Sequence, residues 1–92
     1  LDCEYDLADQ LIDLEDEPVN VARVRVHNED DARILSENAH MSRLPICISA
    51  DHADVLDRAL LLFPGRALVD SETELERDEI EEIAERYGAI VF

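Results

Sequence analysis

Short runs of β-branched and apolar residues alternate along this chain with stretches whose apolar positions fall at helical spacing. The runs are Val19 to Val26, Leu44 to Ser49, Arg66 to Asp70 and Ala89 to Phe92, with starts near residues 20, 44, 66 and 89, a spacing of 22 to 24 residues. This rhythm predicts an α/β fold of parallel βα repeats, because a parallel return needs a crossover long enough to travel back along the strand. In such sheets ligands and catalytic groups gather at the carboxyl ends of the strands. The residues there are His27 and Asn28, then Ser49 to His52, then Asp70 to Glu72.

The helical stretches carry their own start and stop signals. Leu7, Leu11 and Leu14, with Ala8 and Ile12 alongside, predict a helix over Glu4 to Leu14, with Asp2 as its cap and Pro18 beyond its end. Arg23 and Arg25 alternate with Val24 and Val26, which predicts a strand with one polar face, near an edge or with its arginines meeting acidic helices. A second helix opens at His27 or Asn28, with Ala32, Ile34, Leu35, Ala39 and Met41 inward. Glu29, Asp30 and Asp31 sit in its first turn, where the helix dipole favours anions.

Leu44 to Ser49 is apolar up to its last residue, the pattern of a strand covered on both faces. Asp51 is the expected cap of a third helix, which buries Val55, Leu56, Ala59, Leu60 and Phe63 and stops at Pro64-Gly65. Ser71 or Thr73 is the expected cap of a long acidic helix ending at Gly88, with an apolar stripe of Ile80, Ile83, Ala84 and Tyr87.

Four such units are half of an eight-stranded βα barrel, which typically needs about 250 residues. Ninety-two residues make one domain at most, so the architecture is either half of a TIM-type (β/α)8 barrel or a small open parallel sheet. The chain starts without Met and ends on an apolar strand, so we expect either a homo-oligomer or a piece of a longer chain.

Charge narrows the partners. The net charge is −16 and all eight basic residues are arginine. That field repels a phosphate backbone and an anionic bilayer, which excludes nucleic acid and membrane surfaces as partners. No apolar run approaches the roughly 18 residues of a membrane span and no basic region followed by an apolar stretch marks a secretory signal, so a soluble, cytoplasmic protein is expected. Acid excess without lysine also suits a salt-rich cytoplasm. Cys3 and Cys47 lack Cys-x-x-Cys spacing and read as two reduced thiols.

From Leu44 onward the text acquires a family likeness. Pro45-Ile46-Cys47-Ile48, Val55-Leu56, Pro64-Gly65-Arg66-Ala67-Leu68, Ser71 and Arg86-Tyr87-Gly88-Ala89 occur in an order that resembles the pterin-binding barrel. That barrel is shared by dihydropteroate synthase and the methyltetrahydrofolate domain of cobalamin-dependent methionine synthase. The likeness covers about half the chain, and Leu1 to Arg43 adds compatible βα patterning.

The resemblance implies a methyltetrahydrofolate or related pterin ligand, with a corrinoid carried by another domain or partner. It points to Ser49, Asp70 and Ser71 as pocket residues. The family's chemistry residues are replaced, however. The strand-end Asp that holds the pterin ring aligns with Ser49, its Ser neighbour with Ala50, and the strand-end Asn with Asp70. A hydroxyl lacks the paired, charge-assisted acceptors of a carboxylate, and Asp70 on the adjacent strand is the residue placed to compensate.

His27, Asn28, Asp51 and His52 are the weaker candidates. With Asp70 they would stand near one rim as a divalent-metal set, but their spacing matches no local metal motif. Capping by Asp51, an exposed His52 and a strand-ending His27 account for them, so no metal site is assigned. Ser49 and Ser71 lack a Gly-x-Ser-x-Gly elbow, and an inward Cys47 without a basic neighbour keeps a high pKa.

Two readings of function follow. The first is a divergent or partial pterin-binding domain related to methyltetrahydrofolate:corrinoid methyltransferases, with no residue assigned as acid or base. The second is a non-catalytic α/β module that keeps the fold as an assembly or regulatory surface. An unrelated small α/β domain with a metal or phosphate-type ligand is disfavoured by the acidic charge and by the absence of a Gly-rich loop.

Overall fold

The computed structural model describes residues 1, 3, 7–14, 21–65 and 67–91, with Ala8 by its backbone alone. Its elements alternate throughout: α1 (Leu7–Leu14), β1 (Ala22–Val26), α2 (Glu29–Asn38) with a 3₁₀ turn (Ala39–Met41), β2 (Ile46–Ala50), α3 (Ala53–Leu62), β3 (Leu68–Val69), α4 (Arg77–Tyr87) and β4 (Ile90–Val91). The expected Asp2 cap, the helix start at Glu4, Pro18, the strand start at Val19, Arg66 and Phe92 lie outside the described residues.

The four strands lie in the order β1-β2-β3-β4 and every pair is parallel, as the alternating pattern predicts. When chain order equals spatial order, crossovers of one hand deliver every helix to the same side of the sheet. The packing follows this rule, with α2 on α3, α3 on α4, and both α2 and α3 against the strands. Leu7, Leu11, Leu35, Leu56 and Ile80 supply the large buried side chains from the helices. Ala22, Val24, Val26, Ile46, Ile48, Ala50, Ala67 and Val69 meet them from alternate strand positions.

The other strand positions form a second face. By register, Arg23, Cys47, Leu68 and Ile90 make one row across it, and Arg25 and Ser49 begin the next. Asp70 continues that second row, since its backbone nitrogen extends the β2–β3 ladder by donating to the Ile48 carbonyl at 2.9 Å. No helix among the described residues covers this face. Parallel sheets are ordinarily covered on both sides, so a face that no described helix covers is an unusual feature of the fold.

β2 departs from its expected setting for a physical reason. All five of its residues are buried, yet among the described residues helices pack on only one of its faces. The arginines of β1 reach across the other. Among the described residues neither arginine meets an acidic helix; both point away from the described helices, and Arg25 is 47% exposed. The outer edge of β1 is not bare, because the Leu1 nitrogen donates to the Arg23 carbonyl and the Arg25 nitrogen donates to the Leu1 carbonyl, both at 2.7 Å. That alternation is the bonding pattern of a parallel bridge.

The helix ends hold some expectations and overturn others. Asn28 caps α2 by accepting from the Asp31 nitrogen at 2.8 Å, and Asp31 accepts in turn from the His27 nitrogen at 2.9 Å. Gly65 and Gly88 both adopt positive φ, at 104° and 70°, and Gly88 ends α4 with the Ala89 nitrogen donating back to Ala84. Asp51 does not cap α3: His52 takes the cap position without a side-chain bond, while Asp51 is engaged elsewhere. Nor do Ser71 and Thr73 cap α4, which begins only at Arg77 after Glu76. Residues 71–75 are spent as a loop over the strand ends, where Thr73 Oγ1 accepts from the Leu75 nitrogen at 3.3 Å.

Candidate functional site

Arg23 and Arg25 of β1 meet two carboxylates from the carboxyl ends of β2 and β3, Asp51 and Asp70, on the face that no described helix covers. Arg23 stands in register with Cys47, and its Nε lies 3.5 Å from Asp70 Oδ2, beyond the next strand. The two side chains therefore reach toward each other over β2, from strands two spacings of about 4.8 Å apart. Arg25 stands in register with Ser49, and its Nη1 lies 3.5 Å from Asp51 Oδ2. Both arginines come from one edge strand and end on carboxylates of later loops.

The carboxylates have further duties. Asp70 is 3% exposed, and its Oδ1 accepts from the Glu72 nitrogen at 3.0 Å, which shapes the turn after β3. Asp51 Oδ1 accepts from the Glu74 nitrogen at 3.1 Å. Asp51 thereby joins β1, the end of β2 and the loop after β3, which is why it is not free to cap α3.

Two groups lie beneath the arginines. Cys47 is buried, and its thiol is pushed up to about 11 by burial first and by the Asp70 charge second, with Arg23 opposing. A thiol held neutral in this way is a packing group and a poor nucleophile. Ser49 is 1% exposed, and its Oγ has no hydrogen-bond partner among the described residues. An unpaired buried hydroxyl costs about 1–3 kcal/mol, so Ser49 is the point of the rim that a partner would relieve.

Of the sequence candidates, Ser49 and Asp70 stand side by side on adjacent strands, and Ser71 follows at the start of the loop. Asp51 reaches the same rim through Arg25. His27 and Asn28 belong to the cap of α2, and His52 is exposed at the start of α3. Among the described residues no group of three or more His, Cys, Asp or Glu side chains is arranged to hold a metal ion. Arg23 and Arg25 are the site residues that sequence reasoning missed. Their alternation with Val24 and Val26 announced a polar strand face, but the register that carries them to Asp70 and Asp51 is a property of the sheet.

Three clefts lie away from this rim. One of about 280 Å³ runs between α3 and α4 and is lined by Asp54, Asp57, Glu79, Glu82 and Arg86. A second, of about 310 Å³, lies beside Arg58 and Tyr87, and a third, of about 270 Å³, sits by Pro45 and Phe63 at the amino end of β2. They are shallow and none contains a buried unpartnered group, whereas the rim carries convergent charges and the unpaired hydroxyl. No helix among the described residues is long and apolar enough to cross a membrane. The chain matches no protein-family model, no curated protein and no solved structure.

Proposed function

We propose that the chain is a segment of a pterin-binding type of βα barrel and that its carboxyl rim takes a flat, hydrogen-bonding heterocycle between Ser49, Asp70 and Ser71. The observation that carries this reading is the Ser49 hydroxyl, buried without a partner next to a buried carboxylate at the strand ends. Those are the positions where a parallel βα sheet binds its ligands. The motif order from Pro45 to Ala89 supports the choice of a pterin-like ring over other heterocycles. Methyl transfer from a methylated folate-type pterin, with the corrinoid on another domain or partner, is the reaction class that goes with this likeness.

Calorimetric titration with methyltetrahydrofolate tests the reading. Saturable one-site binding that is weakened at least tenfold by Asp70→Asn, in a variant with an unchanged circular dichroism spectrum, supports it. An absence of binding in both low and high salt removes it.

A second reading has its own observation. Both oxygens of Asp70 are already engaged, one by Arg23 and one by the Glu72 nitrogen, and no described helix covers the sheet face beside them. This favours an assembly module in which the face is covered by further βα structure. Sedimentation separates the two readings: self-association without pterin binding favours the module.

A further inference from the structure

We propose that Arg25 is a movable cover over Ser49, and that Ser49 and Asp70 together read the cis-lactam edge of a heterocycle, a ring carbonyl beside a ring N–H, with no requirement for an exocyclic amino group. The inference rests on the heterocycle reading above and specifies which edge of the ring is recognised.

The argument begins with what each group has left to give. Ser49 Oγ has no partner among the described residues, so its hydroxyl hydrogen is an unspent donor. Asp70 receives the Glu72 nitrogen on Oδ1, and Arg23 stands at 3.5 Å from Oδ2. A carboxylate has about four lone-pair sites, so acceptor capacity remains. Adjacent strands thus present a donor beside an acceptor, and the complement of that pair is an acceptor beside a donor.

A lactam edge has that order. An amidine edge offers two donors instead. Asp70 can meet one of them, but Ser49 meets the other only by turning a lone pair to the ligand, which strands its own hydrogen in a buried place. A site with a carboxylate in place of Ser49 would prefer the amidine, so the serine itself sets the preference.

Access is through Arg25. It stands opposite Ser49 in the ladder, and its bridge to Asp51 is a single contact of 3.5 Å between side chains 47% and 31% exposed. Bridges of this kind hold weakly, and exposed side chains change rotamer within nanoseconds. Arg23 stays in place, because its partner Asp70 is only 4% exposed at the side chain and a buried charge does not release its counter-ion readily. Opening therefore exposes Ser49 while leaving the acceptor positioned.

The test compares pterin with lumazine, in which a ring carbonyl replaces the 2-amino group, by calorimetric titration of the folded chain. Lumazine binding within threefold of pterin, with both weakened about tenfold by Ser49→Ala, is the expected result. Arg25→Gln, a change at an exposed side chain, is expected to tighten both about threefold, because a larger fraction of the protein is then open. Pterin binding tenfold tighter than lumazine overturns the lactam assignment and leaves the heterocycle reading standing. Binding of neither ligand overturns both. Weaker binding, or no change, in Arg25→Gln overturns the cover.

Discussion

Arg23 and Asp70 are separated by a whole strand and still meet, with Nε and Oδ2 3.5 Å apart across the face of β2. The pair is asymmetric, since the arginine side chain is 53% exposed and the aspartate only 4%. Among the described residues, removing the arginine leaves a buried carboxylate supported by the Glu72 nitrogen. Arg23→Ala is expected to cost about 2 kcal/mol, below the 3–5 of a fully buried pair because one partner is half in water. Asp70→Asn, which removes the charge and keeps an acceptor, is expected to cost about 1 kcal/mol. Urea unfolding of both single variants and the double variant checks the pair. The double variant should cost less than the sum, and strict additivity would show that the two residues do not interact.

The legibility of the fold and of the site differed for a physical reason. Strand and helix positions follow from local periodicity, so the Val24 and Val26 side of β1, the leucines of α1 and the Pro64-Gly65 stop could be read directly. The tie between Arg25 and Asp51 depends on register between segments 26 residues apart in sequence, which no local pattern encodes. The same long-range tie explains the misplaced caps: Asp51 has the chemistry of an N-cap, but the Glu74 nitrogen and Arg25 compete for it. Ser49 was legible as a rim residue from its place at a strand end. That its hydroxyl is unpaired depends on what surrounds it in three dimensions.

Cys47 gives a pH test of the buried row. Its folded-state pKa is raised from 9.0 to about 11, so the neutral thiol is favoured by folding. The corresponding stability is fully present below pH 9.0 and is lost as pH rises from there through about 11. The amount at stake is on the order of 2 kcal/mol. Cys47→Val removes the titration while keeping volume and β propensity. The stability of the native chain relative to this variant should fall from pH 8 to pH 11; a difference independent of pH would mean that the thiol ionises as easily in the folded protein as in the unfolded one.

The outer layer has a polar clasp between α3 and α4. Asp57 accepts from the Tyr87 hydroxyl on Oδ1 and from Arg86 Nη1 on Oδ2, the latter at 3.1 Å. The bond to Asp57 is the main cause that raises the Tyr87 pKa above 10.0. Tyr87→Phe keeps the ring against the core and deletes the bond, and is expected to lower the unfolding temperature measurably. Arg86→Gln acts on an exposed pair and is expected to cost less than about 0.5 kcal/mol. Thermal unfolding should rank the two in that order, and the reverse ranking would place the clasp's strength in the ion pair.

Salt separates local attraction from global repulsion. Arg33–Glu37, Arg77–Glu81 and Arg86–Glu82 are exposed pairs one helical turn apart, and each loses strength as salt is added. Against them stands a net charge of −16 on 92 residues, with acidic side chains concentrated on the outer faces of α2 and α4. Exposed pairs contribute little individually, whereas like-charge repulsion accumulates over the whole surface and is screened over about 10 Å at 0.1 M salt. The unfolding midpoint is therefore expected to rise steadily between 0.05 and 1 M sodium chloride, the screening of repulsion outweighing the loss of the pairs. Replacing Glu79, Glu82 and Glu85 with glutamine relieves part of the repulsion by chemistry instead of by ions. That triple variant should be more stable than the native chain at 0.05 M salt and show a flatter salt dependence. A midpoint that falls with salt would mean that the ion pairs, Arg23–Asp70 among them, outweigh the repulsion.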